Sequence, residues 1–167
     1  MHKLSLVCLT AGMLGLAAGQ ASATLSPADQ EFARKAASGG MAEIQAAQLA
    51  QQKAASPQIK QFASRMITDH TKANEDLKQI ALQANLTLPS QPEQKEMAAQ
   101  QKLRGLSGAS FDQAYAQEEL RDHQEDVALF QKEALSGQEP ALRGFAQKTL
   151  PVLQEHLQMA QSLSSQK

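Results

Sequence analysis

From Ser26 to Leu163 the apolar residues recur at three- and four-residue spacings, the period of helices that each turn one face to a core. That period restricts the chain to an all-α architecture. Composition agrees: Ala, Gln and Leu are abundant, Trp is absent and there is one Tyr, a poor supply for strands.

Punctuation divides the pattern. Ser26 caps a first helix that opens at Pro27, and the Gly39-Gly40 pair is expected to interrupt it before it resumes from Met41 to Ala54. Ser56-Pro57 starts a second helix, running to about Ala84. Its stripe contains Ile59, Phe62, Met66, Ile67, His70, Asn74 and Leu77. Residues Asn85 to Pro92 read as a crossing loop.

A helix over Glu93–Leu106 then breaks at Ser107-Gly108, another spans Phe111–Leu135, and Pro140 opens the last. Pro151 lies inside that last helix, where a missing backbone donor predicts a bend before His156. The expectation is an antiparallel helical bundle with an interrupted first helix and a broken third/fourth helix.

Three histidines, His70, His123 and His156, fall on the apolar stripes of three different helices. A stripe about 140° wide catches a randomly placed residue about 0.4 of the time, so three of three falls to about 0.06. Height along the bundle allows them to meet. At ~1.5 Å per residue, Glu43 and His70 both lie ~17–20 Å from the turn that joins their helices. His123 and His156 lie ~18 Å and ~24 Å from theirs, with Glu119 level with His156.

Converging imidazoles point to a metal ion held between helices, with Glu43 and Glu119 as carboxylate partners. Zinc, iron, manganese and copper all suit such donors. Met66 and Met159, close to His70 and His156, either add soft donors for copper or fill the core. Asp69, Asp122 and Glu155 each precede a histidine. They either orient rings on neighbouring helices or are ordinary flanking charges. Tyr115, one turn before Glu119, is placed to hydrogen-bond it or to pack as an exposed aromatic.

The N-terminus reads as an export signal: a basic start at Met1-His2-Lys3, an apolar run to Gly19 and the cleavage pattern Ala21-Ser22-Ala23. Cleavage there leaves residues 24–167 as one helical-bundle domain in the periplasm. That stretch offers no integral membrane span and nothing that supports outer-membrane association. Cys8, the one cysteine, lies within the signal, which excludes disulfides and thiolate metal sites from the mature chain. With 16 basic against 17 acidic side chains and no basic cluster, nucleic acid is not an expected partner.

Taken in order, Ser38-Gly39-Gly40-Met41-Ala42-Glu43, Phe62-Ala63 through Asp69-His70, and Phe111-Asp112-Gln113-Ala114-Tyr115 form a recognisable set. Asp122-His123 and Leu150-Pro151-Val152-Leu153-Gln154-Glu155-His156 complete it. With these pieces the chain resembles an exported bacterial ferritin-like family of unknown function, whose members were once labelled predicted outer membrane proteins. The resemblance implies a ferritin-like bundle and export, and no reaction. The chain departs from di-iron ferritins in having no Glu-x-x-His motif, so a mononuclear site fits better than a ferroxidase centre.

No nucleophile, phosphate-loop or nucleotide motif is present. Two classes therefore remain open: an exported metal-binding bundle, and a metal-free interaction or envelope stress-protection protein whose histidines form a core hydrogen-bond network.

Overall fold

The computed structural model describes residues 25–165; the expected signal, 1–23, lies outside them. Five helices account for most of this span: α1 (Pro27–Lys53), α2 (Pro57–Gln83), α3 (Gln94–Arg104), α4 (Gly108–Ser136) and α5 (Pro140–Ser164). The described residues contain no strand, and no helix among them is long and apolar enough to cross a membrane.

The four long helices form a closed ring in the order α1, α2, α5, α4, each antiparallel to its neighbours. Because α2 ends at the opposite end of the bundle from the start of α4, residues 84–107 must run its whole length. The short α3 lies within that crossover, packed on α1 and α4.

Helix starts follow capping chemistry. Prolines open α1, α2 and α5, where a missing N–H costs nothing, and Ser26 and Ser56 accept the orphan amides of Asp29 and Ile59. The Glu93 and Glu96 side chains form a capping box on α3, and the Ser38 hydroxyl of α1 donates to Glu96 at 2.6 Å, docking α3 against α1. The α3–α4 break occurs at Gly108, whose φ of 58° is a left-handed conformation that favours glycine. Carboxylates clasp the other turns: Asp112 accepts from the amides of Ala55 and Ser56, and Asp29 from those of Gln138 and Glu139.

One expectation is corrected. α1 runs unbroken through Gly39-Gly40. Two glycines cost helix propensity, but here they face neighbours. A Cβ on Gly40 would stand 2.3 Å from Asn74 Oδ1, so the bare backbone lets α2 pack closely, and that packing holds the helix together. α4 begins three residues before the expected Phe111. α5 continues as one helix across Pro151, which is exposed.

The core has two apolar clusters. At one end Phe32, Leu77, Phe130, Leu142, Phe145 and Leu153 pack together; at the other Ile59, Phe62, Met66, Phe111, Tyr115 and several alanines of α1 do. On every long helix the residues between the clusters are polar: Glu43, His70, Glu119 with His123, and His156. A polar layer thus divides the core at mid-height.

Two outcomes test this packing. Gly40→Leu is expected to cost at least ~1.5 kcal/mol in denaturant unfolding, because Asn74 blocks the added side chain. Gly39→Ala, with ordinary contact 3.7 Å from Asp126, should instead gain ~0.5–1 kcal/mol. Near the α4–α5 turn, burial and the neighbouring Asp29 push the Glu133 carboxyl up to about 7. The folded state therefore keeps a proton that the unfolded chain releases, and this contribution is lost as pH rises from the ordinary carboxyl range through about 7. Glu133→Gln should flatten that decline; equal pH profiles for variant and wild type would contradict it.

Candidate metal centre

His70 from α2, His123 from α4 and His156 from α5 meet in the polar layer. Their ring centroids are 5.8 Å (His70–His123), 5.4 Å (His70–His156) and 5.3 Å (His123–His156) apart. His123 and His156 are fully buried and His70 nearly so. One donor nitrogen from each ring lies within 4.8 Å of one from each of the others.

Each ring has one nitrogen beside an oxygen and one without a hydrogen-bond partner. His123 Nδ1 donates to the Glu119 carbonyl oxygen one turn earlier, at 2.9 Å. His156 Nε2 faces Asp69 Oδ2 at 2.9 Å, and His70 Nδ1 faces Glu43 Oε2 at 2.9 Å. The opposite nitrogens, His70 Nε2, His123 Nε2 and His156 Nδ1, are buried without a hydrogen-bond partner. A carbonyl only accepts, so the proton of neutral His123 sits on Nδ1 and its lone pair on Nε2. Neutral His156 follows the same logic against Asp69, which its bonds to His156 and Arg65 keep ionised, so its lone pair lies on Nδ1.

Burial, reinforced for His123 by the other two rings, lowers the rings from the usual 6.5 to about 4 (His70), 3 (His123) and 4 (His156). At neutral pH the three lone pairs are therefore free. Orphaned buried nitrogens on three converging neutral rings fit a metal ion. Metal–nitrogen bonds of ~2.1 Å set donor atoms ~3.4–3.6 Å apart, so the rings need at most about an ångström of convergence.

Glu43 and Glu119 are almost fully buried and stand on the Nδ1 side of the rings. Glu43 Oε1 is 3.5 Å and Glu119 Oε2 3.7 Å from His123 Nδ1. Together with His123 they offer a second set of donors within 4.8 Å, but the His123 nitrogen on that side already donates to the Glu119 carbonyl. Burial first, then neighbouring acids, raises both carboxyls well above the usual range.

The acids preceding the histidines diverge. Asp69 reaches across from α2 to His156 of α5. Asp122 lies 3.4 Å from Arg121, and Glu155 is exposed and pairs with Arg65; neither bonds a histidine. Tyr115 is fully buried, not an exposed aromatic; it stacks on Phe111 at 5.7 Å and its hydroxyl lies against the Glu119 carboxyl.

Two residues join the layer that the sequence reading did not place at the site. Phe62 packs against the rings of His123 and His156, at 6.5 and 6.3 Å. Asp126, three residues after His123, lies close enough to Glu43 and His70 for its carboxyl to be raised by burial and by Glu43. The three-residue spacing from His123 was the available signal.

Fold and layer together define an antiparallel helical bundle with a buried histidine–carboxylate centre. The chain belongs to the family described as a domain of unknown function, DUF4142, whose model matches residues 15–163. No curated protein matches it.

Solved structures do. A DUF305 fragment from Deinococcus radiodurans is 9% identical with a TM-score of 0.74, over 84% of this chain and 97% of that one. CopM in its Cu(II)-bound form is 18% identical with a TM-score of 0.67, over 81% and 95%. The Ag-bound form of CopM is 17% identical with a TM-score of 0.66, over 80% and 93%. At these identities the likeness is one of fold.

The lowered rings carry a test. In metal-free protein the unfolded chain binds imidazole protons below 6.5 that the folded state refuses, so the rings' contribution to stability is lost as pH falls from 6.5 towards about 3. His123→Gln should reduce the slope of unfolding free energy between pH 4 and 6 by up to ~1.4 kcal/mol per pH unit. Parallel slopes would show that His123 is not held neutral.

Proposed function

We propose that this chain is an exported helical-bundle protein that holds a transition-metal ion, copper foremost, through His70 Nε2, His123 Nε2 and His156 Nδ1. The carrying observation is three buried rings with donor nitrogens within 4.8 Å of one another, each ring having one nitrogen without a hydrogen-bond partner. Acceptors behind ligating imidazoles set the tautomer and raise ligand basicity. Here the Glu119 carbonyl and Asp69 fill that role for His123 and His156, and Glu43 stands 2.9 Å from His70 Nδ1. Burial keeps the Glu43 and Glu119 carboxyls protonated, and they would supply negative charge by losing those protons to a bound cation; Glu43, beside both His70 and His123, is the oxygen donor at hand should coordination extend beyond three.

Imidazole donors accept zinc, iron and copper, and among divalent ions Cu(II) binds such sites most tightly. CopM, of the same fold, has been seen with Cu(II) and with silver. Bound copper would supply a positive charge and a one-electron couple. The protein's own contribution is to hold three neutral rings in a layer closed off from water by two apolar clusters. The long crossover is also the connectivity of some ferritin-like bundles, but no Glu-x-x-His pair is present for a di-iron centre. A basic start, apolar run and Ala21-Ser22-Ala23 support export to the periplasm.

Elemental analysis of untagged protein dialysed against copper, zinc, iron and manganese together should give one equivalent, mainly copper. Asp69→Asn should weaken binding ~10–100-fold, and His123→Ala by at least as much, whereas Glu155→Gln on the surface should change it little. No bound metal in the wild type, or equal content in His123→Ala, would favour the metal-free reading of the histidine layer.

A further inference from the structure

The seams around the histidine layer are not equally closed. α3 roofs the α1–α4 seam, where Gln100 donates to the Ala42 carbonyl at 3.1 Å and a cavity of only about 20 Å³ remains. Asn74 fills the α1–α2 seam against Gly40. The α2–α5 seam opens instead into a groove of about 640 Å³, lined by Phe62, Arg65, Glu155 and Met159 among others.

Phe62 forms both the floor of that groove and a wall of the site. Its ring stands edge-on to His156 at 6.3 Å and 6.5 Å from His123, so one aromatic ring separates the groove from the imidazoles. Above it Arg65 of α2 crosses to Glu155 of α5 and also bonds Asp69 at 3.2 Å. Asp69 in turn bonds His156. These ion pairs are largely solvent-exposed and hence weak, so the strap opens at little cost.

Met159, half-buried and three residues beyond His156, places a thioether in the groove. Thioethers select soft cations such as Cu(I) and Ag(I) and discriminate against harder divalent ions.

Building on the copper-site reading above, we propose that the ion exchanges through the α2–α5 seam, with Met159 as a transient ligand for soft cations, Phe62 as the door and Arg65 as its strap. Met159 acts on the path and not on the destination, so it alters rates and leaves affinity in place, whereas Arg65 also bonds Asp69 behind His156 and its removal shifts affinity as well as rate.

The test is stopped-flow loading of the full chain from the Cu(I)–bicinchoninate complex under nitrogen, with Co(II) as the hard comparison and titrated end-point affinities for both. Met159→Leu should slow Cu(I) loading at least threefold while Co(II) loading and both affinities stay within twofold. Arg65→Ala should accelerate both ions at least threefold, and Gln100→Ala, which loosens the α3 roof, should change neither. Both residues of the path are on or near the surface, so the variants retain the core, checked by helical circular dichroism. Unchanged rates in Met159→Leu and Arg65→Ala, with one equivalent still bound, overturn the route and leave the site intact. Acceleration by Gln100→Ala instead places the route under α3. A wild type that takes up neither ion ends the site reading and this inference with it.

Discussion

Everything in this bundle is arranged around the burial of imidazoles and carboxyls at mid-height of an apolar core. Unsatisfied buried polar groups each cost ~1–3 kcal/mol, and His70 Nε2, His123 Nε2, His156 Nδ1 and the Glu43 oxygens all lack good partners. An apolar layer would be more stable. The fold tolerates the layer by keeping the rings uncharged and holding protons on the acids, so that no isolated full charge sits among the phenylalanines. The proposed cation site gives a layer built at such cost its reason.

The rest of the architecture follows from keeping that layer in register. Each long helix passes apolar, polar and apolar levels, and neighbouring helices run in opposite directions, so one residue of slip in any helix would take a donor out of the layer. Asp112 and Asp29 prevent this by clasping the turns at opposite ends of the bundle. α3 shields the Glu43–Glu119 side, and Gln100, bonded to the Ala42 carbonyl, ties it to the residue beside Glu43.

The helical period, the proline-led starts and the Ser107-Gly108 break were legible because each is a local signal. What was not legible depended on a distant partner. Gly39-Gly40 looks like an interruption until Asn74, from the next helix, is seen to occupy the space above Gly40. Asp69, Asp122 and Glu155 are equivalent in sequence, each one residue before a histidine. Only Asp69 finds a ring, on a helix 87 residues away in the chain. Histidine heights could be estimated from helix rise, but which nitrogen of each ring is engaged depends on acceptors that no spacing reveals. Phe62 read as one more core residue until its position between the rings and the groove was seen.

The central claim is that one ion sits among these three nitrogens. Crystals of copper-loaded protein measured at the copper absorption edge test it most directly. The account expects a single anomalous peak ~2 Å from His70 Nε2, His123 Nε2 and His156 Nδ1, with Glu43 and Asp69 still behind the rings. A peak held only by carboxylates, or one on the protein surface with the three nitrogens unchanged, would contradict it.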